Sequence, residues 1–394
     1  MIKKNLSLFT LIGLVLGIIF GLVCPDMVPS ISFIGTFYIS CLKYMVVPVV
    51  FTSICVSVFN SRKLKNRLVP MTILVFALMF IATFLLSSLI VTIIDPSRGF
   101  AFENVEWTGS TTTIGIGAML KNLVPTSLIK FLTGSNLFTV ILLAFVFGVV
   151  CTLFDKGEKV IAFIGKIKGF LFVILEYFMF VSPFAVFSLM ASTIVNYGSI
   201  LLGVGVRYIL TAYVCTLAAL VIVMIVPVLV ICKMSPKTFI SKVYKIWLIT
   251  ISTCSSAATL PYTIKTCREE FDVPEDVTDV VVPLGTTIHM CGGAVSFALL
   301  GLFCSKLYGV EITAGKYVIM LISALLINMA APGIPGGGPI IGATYLEILG
   351  VPLSFIGFYT GIYKLLDMVY TSLNVTDDIA SNVIINYLSG KKKR

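Results

Sequence analysis

Asp367-Met-Val-Tyr-Thr-Ser-Leu-Asn-Val-Thr-Asp-Asp378 interrupts an apolar run that extends from Phe355 to Tyr387 and otherwise reads as a membrane span. Asp367, Thr371, Asn374 and Asp378 follow one another at spacings of four, three and four residues. At about 100° per residue they fall on one narrow stripe of an α-helix. A carboxylate near mid-bilayer costs roughly 2.5–3.5 kcal/mol or more. Such a stripe is tolerated only where it faces protein, water, an ion or a solute, so a solute pathway is the default reading.

The rest of the chain agrees. Of its 394 residues, 58% are hydrophobic and 12% charged, whereas soluble domains carry roughly 25% charged residues. The apolar runs are too long and continuous for barrel strands. The chain reads as an all-α polytopic membrane protein. Met1-Ile-Lys-Lys4 leads into Leu6–Cys24, which is of span length, and Cys24-Pro-Asp-Met-Val-Pro-Ser30 lacks a small-residue cleavage pattern. This segment is expected to be a first span, not a cleaved leader. The ten cysteines lie mostly in apolar segments without CxxC spacing, as small membrane hydrophobes do.

The net charge of +10 does not point to nucleic acid, because the basic residues gather in short loops. They are Lys3 and Lys4; Arg62, Lys63, Lys65 and Arg67; Lys156 and Lys159; Lys233 to Lys245; Lys265 with Arg268; and Lys391 to Arg394. Alternate loops are poor in them, which is the positive-inside pattern. A cell (inner) membrane location with both termini cytoplasmic follows.

Eight full spans are expected at about 6–24, 31–59, 69–94, 116–154, 166–194, 199–231, 277–304 and 355–388, the fourth broken by Pro125 and Gly134. Two further apolar segments break the charge alternation if counted as crossings. Segment 238–268 is split by Ser252-Thr-Cys-Ser-Ser-Ala-Ala-Thr-Leu-Pro261, and segment 316–349 by Ala331-Pro-Gly-Ile-Pro-Gly-Gly-Gly-Pro339. Both read as re-entrant helical hairpins, one from each side, which gives an inverted-repeat plan. Paired interrupted segments point to a transporter's binding site, because broken backbone at depth must line a cavity or be buried in protein.

Six motifs in order carry a resemblance. They are Leu42-Lys-Tyr-Met-Val-Val-Pro-Val-Val-Phe51, Asn122-Leu-Val-Pro-Thr126, Ser255-Ser-Ala-Ala-Thr-Leu-Pro261, Pro283-Leu-Gly-Thr-Thr-Ile-His289, Gly333-Ile-Pro-Gly-Gly-Gly338 and the Asp367–Asp378 stripe. Over nearly its whole length the chain resembles the dicarboxylate/amino-acid:cation symporter family, which includes glutamate and neutral amino-acid transporters. The resemblance implies eight spans plus two hairpins, a homotrimer in lipid, and elevator-type movement. It divides the chain into scaffold spans one and two (1–68), transport-domain span three (69–95), scaffold spans four and five (96–195) and a transport-domain core (196–390).

It also implies a substrate site at Ser255, Ser256, Gly293, Gly333, Asp367, Tyr370, Thr371 and Asn374. Helix N-termini at the first hairpin tip suit an α-carboxylate, with the serines and Asn374. Asp367 suits an ammonium, a pairing strengthened where water is scarce. For the serines, helix capping and small-residue packing is the plain alternative. Cation-binding positions implied are Gly285, Thr287, His289, Asn374 and Asp378, with Na⁺ at Asp378, Asn374 and Gly285. No cofactor is expected beyond Na⁺ or H⁺ as coupling ion.

Departures from the family pattern bear on substrate and coupling. Where acidic-substrate members carry an arginine, this chain has Tyr370, and a buried carboxylate without a cation would cost on the order of 3–5 kcal/mol. An arginine and an aspartate that pair near the site in some members are Cys254 and Tyr363 here. The family's Asn-Met-Asp-Gly-Thr reads His289-Met-Cys-Gly-Gly293. A third-span hydroxyl pair is expected at Met79 and Phe80, which offer no hard oxygen for Na⁺, so one cation site is expected to be lost.

His289 could carry a coupled proton or sit neutral against a carbonyl. A soft-metal cluster of Cys254, Cys291 and His289 has no support in the spacing. Lys364, three residues before Asp367, could pair with it or snorkel outward. The leading expectation is uptake of a neutral amino acid of the serine, threonine or alanine kind. Alternatives are a proton-coupled (di)carboxylate symporter using Lys364, an acidic amino-acid transporter with an altered pocket, an anion channel, and a membrane sensor. No nucleophile–base constellation marks an enzyme.

Overall fold

The computed structural model describes residues 2–61, 68–100, 137–197, 200–329 and 337–390, and every regular element among them is helical. The first arm is α1 (Ile2–Val23), a 3₁₀ turn at Pro25–Met27 and α2 (Val28–Ser61). The chain bends by 111° between α1 and α2. Pro48 lies inside α2, and the Thr52 hydroxyl donates to its carbonyl at 2.7 Å. Next come α3 (Leu68–Ile94), α4 (Leu137–Cys151), α5 (Gly157–Met179) and α6 (Ser182–Tyr197). The expected fourth-span breaks at Pro125 and Gly134, and the motif Asn122–Thr126, lie outside the described residues.

The expected fifth span, 166–194, is two helices. Phe180 and Val181 donate back to Tyr177 and Phe178 in a turn, and α6 then restarts at Ser182-Pro183. Proline has no N–H and disfavours helical geometry in the residue before it, so the ladder breaks there.

α7 (Ile200–Ala219) runs through a π-helical turn, Leu220–Ile225, into α8 (Val226–Cys232). Pro227 follows the turn and removes a donor from the ladder. α9 (Pro236–Thr253) and α10 (Ser256–Lys265) form the first hairpin, closed by a π-helical turn at Thr266–Glu270. α11 (Glu275–Ile288) and α12 (Cys291–Leu307) form one broken span. α13 (Ala314–Asn328) and α14 (Gly338–Leu349) are the arms of the second hairpin, and its tip, including Gly333, lies outside the described residues. α15 (Ile356–Ser389) ends the described chain.

Three described stretches are individually long and apolar enough to cross a membrane: Leu68–Ile94, Gly203–Cys232 and Glu275–Leu307. The bent pair Ile12–Val23 and Pro25–Tyr38 counts as a fourth by the same measure. The most apolar window of Glu275–Leu307 is 83% buried within the molecule, against 39% and 33% for the other two. This broken span is therefore interior, and the others present wide faces to their surroundings. α15 is buried almost all round from Ile356 to Ile385, which explains how it tolerates a polar stripe.

Packing falls into two groups. α1, α2, α4, α5 and α6 pack mainly on one another, and α3 packs with α7 and the hairpin-bearing helices around α12 and α15. Contacts of α15 with α1 and α6, and of α14 with α2, join the groups. At the ends of α3 and α12, Lys306 Nζ lies 3.2 Å from Asp95 Oδ2. Arg268 bridges the first hairpin to Glu275 and Asp279 of α11.

Candidate functional site

The first hairpin turns on one residue. Cys254 ends α9 in the left-handed region (φ 49°, ψ 39°), and Ser255 follows in extended geometry. That pair reverses the chain so that α10 starts with its N–H groups at the tip. Ser255 is the N-cap: its side chain accepts from the Ala258 N–H at 3.2 Å, and Thr259 donates to its carbonyl at 2.8 Å. Ser256 lines the cavity instead. The two serines thus divide the roles of cap and wall.

α9 is fastened to α15 by two hydrogen bonds at helical spacing. Trp247 Nε1 donates to Thr376 Oγ1 at 2.8 Å, and Thr250 Oγ1 lies 2.7 Å from Ser372 Oγ. Both hydroxyls on α15 also donate to carbonyls four residues back. The hairpin is therefore held in fixed register against the polar helix.

Between α11 and α12 the helix opens. His289 and Met290 take extended backbone (φ −122° and −133°). Asn374 Oδ1 accepts the Gly292 N–H at 2.7 Å, capping the start of α12 from α15. Gly292 must be a glycine, because a Cβ there would overlap the backbone of Tyr370. Asn328, at the end of α13, offers its amide to both the N–H and the carbonyl of Met290 (3.2 and 3.3 Å) once the amide is oriented to match its neighbours.

These broken ends surround a cavity of about 50 Å³, room for a few waters or a small solute. Asp367, Tyr370, Thr371 and Asn374 of α15 line it, with Ser256, Gly293, Ser296, Asn328 and Tyr363 among its other walls. Asp367 is the one charged lining residue among those described. Thr371 Oγ1 donates to Asp367 Oδ1 at 3.1 Å. Tyr370 is buried, and its hydroxyl meets no partner among the described residues. Of the expected substrate residues, Ser256, Gly293, Asp367, Tyr370, Thr371 and Asn374 line one cavity, Ser255 stands behind as cap, and Gly333 lies outside the described residues.

Lys364 does not follow the outward-snorkelling expectation. Its Nζ lies 3.0 Å from Cys254 Sγ at the hairpin tip. An ammonium therefore sits behind one cavity wall, though Lys364 is not itself a lining residue.

The expected cation positions are partly brought together. Asp378 lies so close over Gly285 that a Cβ there would collide with its carboxylate. The hydroxyl that reaches Asp378 is that of Thr286, donating to Oδ2 at 3.2 Å. Thr287 is exposed and bonds back to its own helix at Leu284. The Gly285 carbonyl already accepts the His289 N–H at 2.8 Å. Asn374 points its side chain to Gly292, one turn before Asp378 on the same helix.

The imidazole of His289 faces a carboxylate as well as the backbone of Phe76. Its Nε2 lies 3.0 Å from Asp377 Oδ2, with both residues buried. The ring stacks on Phe76 of α3, centroids 4.0 Å apart. Met79 and Phe80 are buried beside this region, and Met79 Sδ accepts the Ser381 hydroxyl at 3.2 Å. Neither brings a side-chain oxygen. Asp377 was legible as a second acid beside Asp378, but it lies about 100° off the stripe and so escaped a reading built on one face.

Comparison with known proteins bears on the same stretch. The model of the sodium:dicarboxylate symporter family matches residues 6–388. The proton/sodium-glutamate symport protein of Geobacillus stearothermophilus is 25% identical over 404 residues, covering 99% of this chain and 96% of that protein. The C4-dicarboxylate transport protein of Bacillus subtilis (strain 168) is 22% identical over 396 residues, covering 97% and 93%. Neutral amino acid transporter A of Bos taurus is 28% identical over 261 residues, covering 66% of this chain and 49% of that protein.

Proposed function

The chain belongs to the sodium:dicarboxylate symporter family, and within that family of membrane symporters we propose that it takes up a small neutral amino acid, of the serine, threonine or alanine kind, with Na⁺ or H⁺. The observation that carries this reading is the charge of the cavity: one carboxylate, Asp367, and no basic residue among the described lining. An ammonium would pair with Asp367, and Thr371 orients that carboxylate. The α-carboxylate would take free N–H groups at the start of α10, the Ser256 hydroxyl and the amide of Asn374. A small side chain would lie toward Tyr370 and Tyr363. A zwitterion is neutralised in such a site, whereas a second substrate carboxylate would be left without a cation at roughly 3–5 kcal/mol.

Lys364 favours a second reading. Its ammonium at the Cys254 wall could serve a substrate carboxylate if the hairpin tip shifted, as a dicarboxylate or acidic amino-acid symporter requires. Na⁺ at Gly285, Asn374 and Asp378 is the proposed coupling site, supported by the close approach of Gly285 and Asp378. Trimer assembly, elevator movement, cell-membrane placement and cytoplasmic termini are proposals of the same standing. The two packing groups of helices supply natural scaffold and moving bodies.

Uptake into proteoliposomes with separate Na⁺ and pH gradients tests the reading. Concentrative uptake of serine or alanine, with aspartate and succinate excluded, supports it. Uptake of succinate, lost on Lys364→Ala, would replace it with the second reading.

A further inference from the structure

The joint between α11 and α12 brings together three chemically different donor atoms. His289 and Met290 are extended, so the side chains of His289 and Cys291, two residues apart, project the same way. Asp377 meets them from α15. His289 Nε2 lies 3.0 Å from Asp377 Oδ2 and 3.7 Å from Cys291 Sγ. One donor atom of each residue lies within 4.8 Å of the other two. All three side chains are buried, and stacking on Phe76 fixes the imidazole plane. Asp377 also faces the thiol and backbone of Cys291, and Asp378 Oδ1 next to it has no hydrogen-bond partner among the described residues. A buried carboxyl, thiol and imidazole this close form a polar cluster in an otherwise apolar interior, which a bound cation would satisfy.

We infer that His289, Cys291 and Asp377 form a binding site for a borderline-soft divalent cation of the zinc class. The donor set selects the ion: nitrogen, sulfur and one oxygen suit zinc and its neighbours, and suit Na⁺ poorly. Bond lengths of about 2.0–2.3 Å at tetrahedral angles put such ligands roughly 3.3–3.6 Å apart, close to the two shorter separations here. A thiolate and a carboxylate cancel the charge of a divalent ion, leaving a neutral cluster suited to a dry interior. Bound there, the ion ties the α11–α12 joint to α15, one residue from the Gly292–Asn374 contact. It acts as a clamp on the cavity wall and does not depend on which substrate the cavity takes.

The test uses the full-length purified protein after chelator treatment, titrated with Co²⁺ alone. A thiolate-to-cobalt charge-transfer band saturating at one equivalent per chain and displaced by Zn²⁺ is expected. Cys291→Ser should remove that band while the unfolding temperature of the metal-free protein stays unchanged, and Asp377→Asn or His289→Gln should weaken Co²⁺ binding by about tenfold or more. No such band in the unmutated protein at saturating Co²⁺ would overturn the site, leaving a buried ion pair. Persistence of the band in Cys291→Ser would also overturn it, by placing the ion on another of the ten cysteines.

Discussion

Asn374 Oδ1 holds the Gly292 N–H at 2.7 Å, so the polar stripe of the last helix caps the broken span that faces it. One bond thereby fixes two cavity walls relative to each other. It also leaves the Asn374 amide NH₂ to serve a solute. Replacing Asn374 by Ala strands a buried N–H at about 1–3 kcal/mol. Thermal unfolding in detergent should show a lowered transition, and substrate affinity should fall as well. A variant with normal affinity would separate this contact from binding.

Asp367→Asn keeps the shape of the cavity and removes the one charge among its described lining residues. The loss of a buried ion-pair partner, roughly 3–5 kcal/mol, predicts amino-acid binding weakened by more than about 100-fold, with the unfolding temperature nearly unchanged. Titration calorimetry on purified protein checks both quantities.

Tyr370→Arg places a guanidinium among the cavity walls. Aspartate, excluded by the native protein on this account, should then bind, and serine should bind more weakly. If aspartate still fails to compete, parts of the pocket other than residue 370 set the exclusion.

Lys364→Met removes the ammonium that meets Cys254 and keeps most of the side-chain volume. Neutral amino-acid affinity should change by less than about threefold, the range of an indirect contact. A collapse of uptake confined to carboxylic acids would assign Lys364 to the substrate.

Gly292→Ala forces a Cβ into the backbone of Tyr370. The joint must move apart, at a cost of about 1–3 kcal/mol. Reduced folded yield and weakened binding should appear together, since the same contact seats both walls.

Much of this site was legible in the chain. The four-three-four spacing from Asp367 to Asp378 identified the buried stripe because an α-helix repeats nearly every seven residues over two turns. The serine run at 255–256 and the Pro283–His289 segment located two of the broken backbones. What escaped depended on contacts between distant segments. The partner of His289 is Asp377, 88 residues on, and no periodicity within one helix reveals such a pairing. Asn328, which meets the open backbone at Met290, looks in sequence like a single polar residue in an apolar arm. Thr286, whose hydroxyl reaches Asp378, was not singled out, because which of two neighbouring threonines faces another helix depends on helix phase, and that is hardest to read next to an unwound segment. Lys364 turned inward because the thiol of a hairpin tip stands 110 residues away in sequence and 3.0 Å away in space.

The most direct test of the cavity's chemistry compares L-serine with 3-hydroxypropanoate, the same molecule without its amino group, for binding to the native protein and to Asp367→Asn. Serine should bind the native protein at least about 100-fold more tightly, and the variant should lose most of that preference. Equal binding of the two ligands by the native protein would contradict the ammonium–Asp367 pairing on which the account rests.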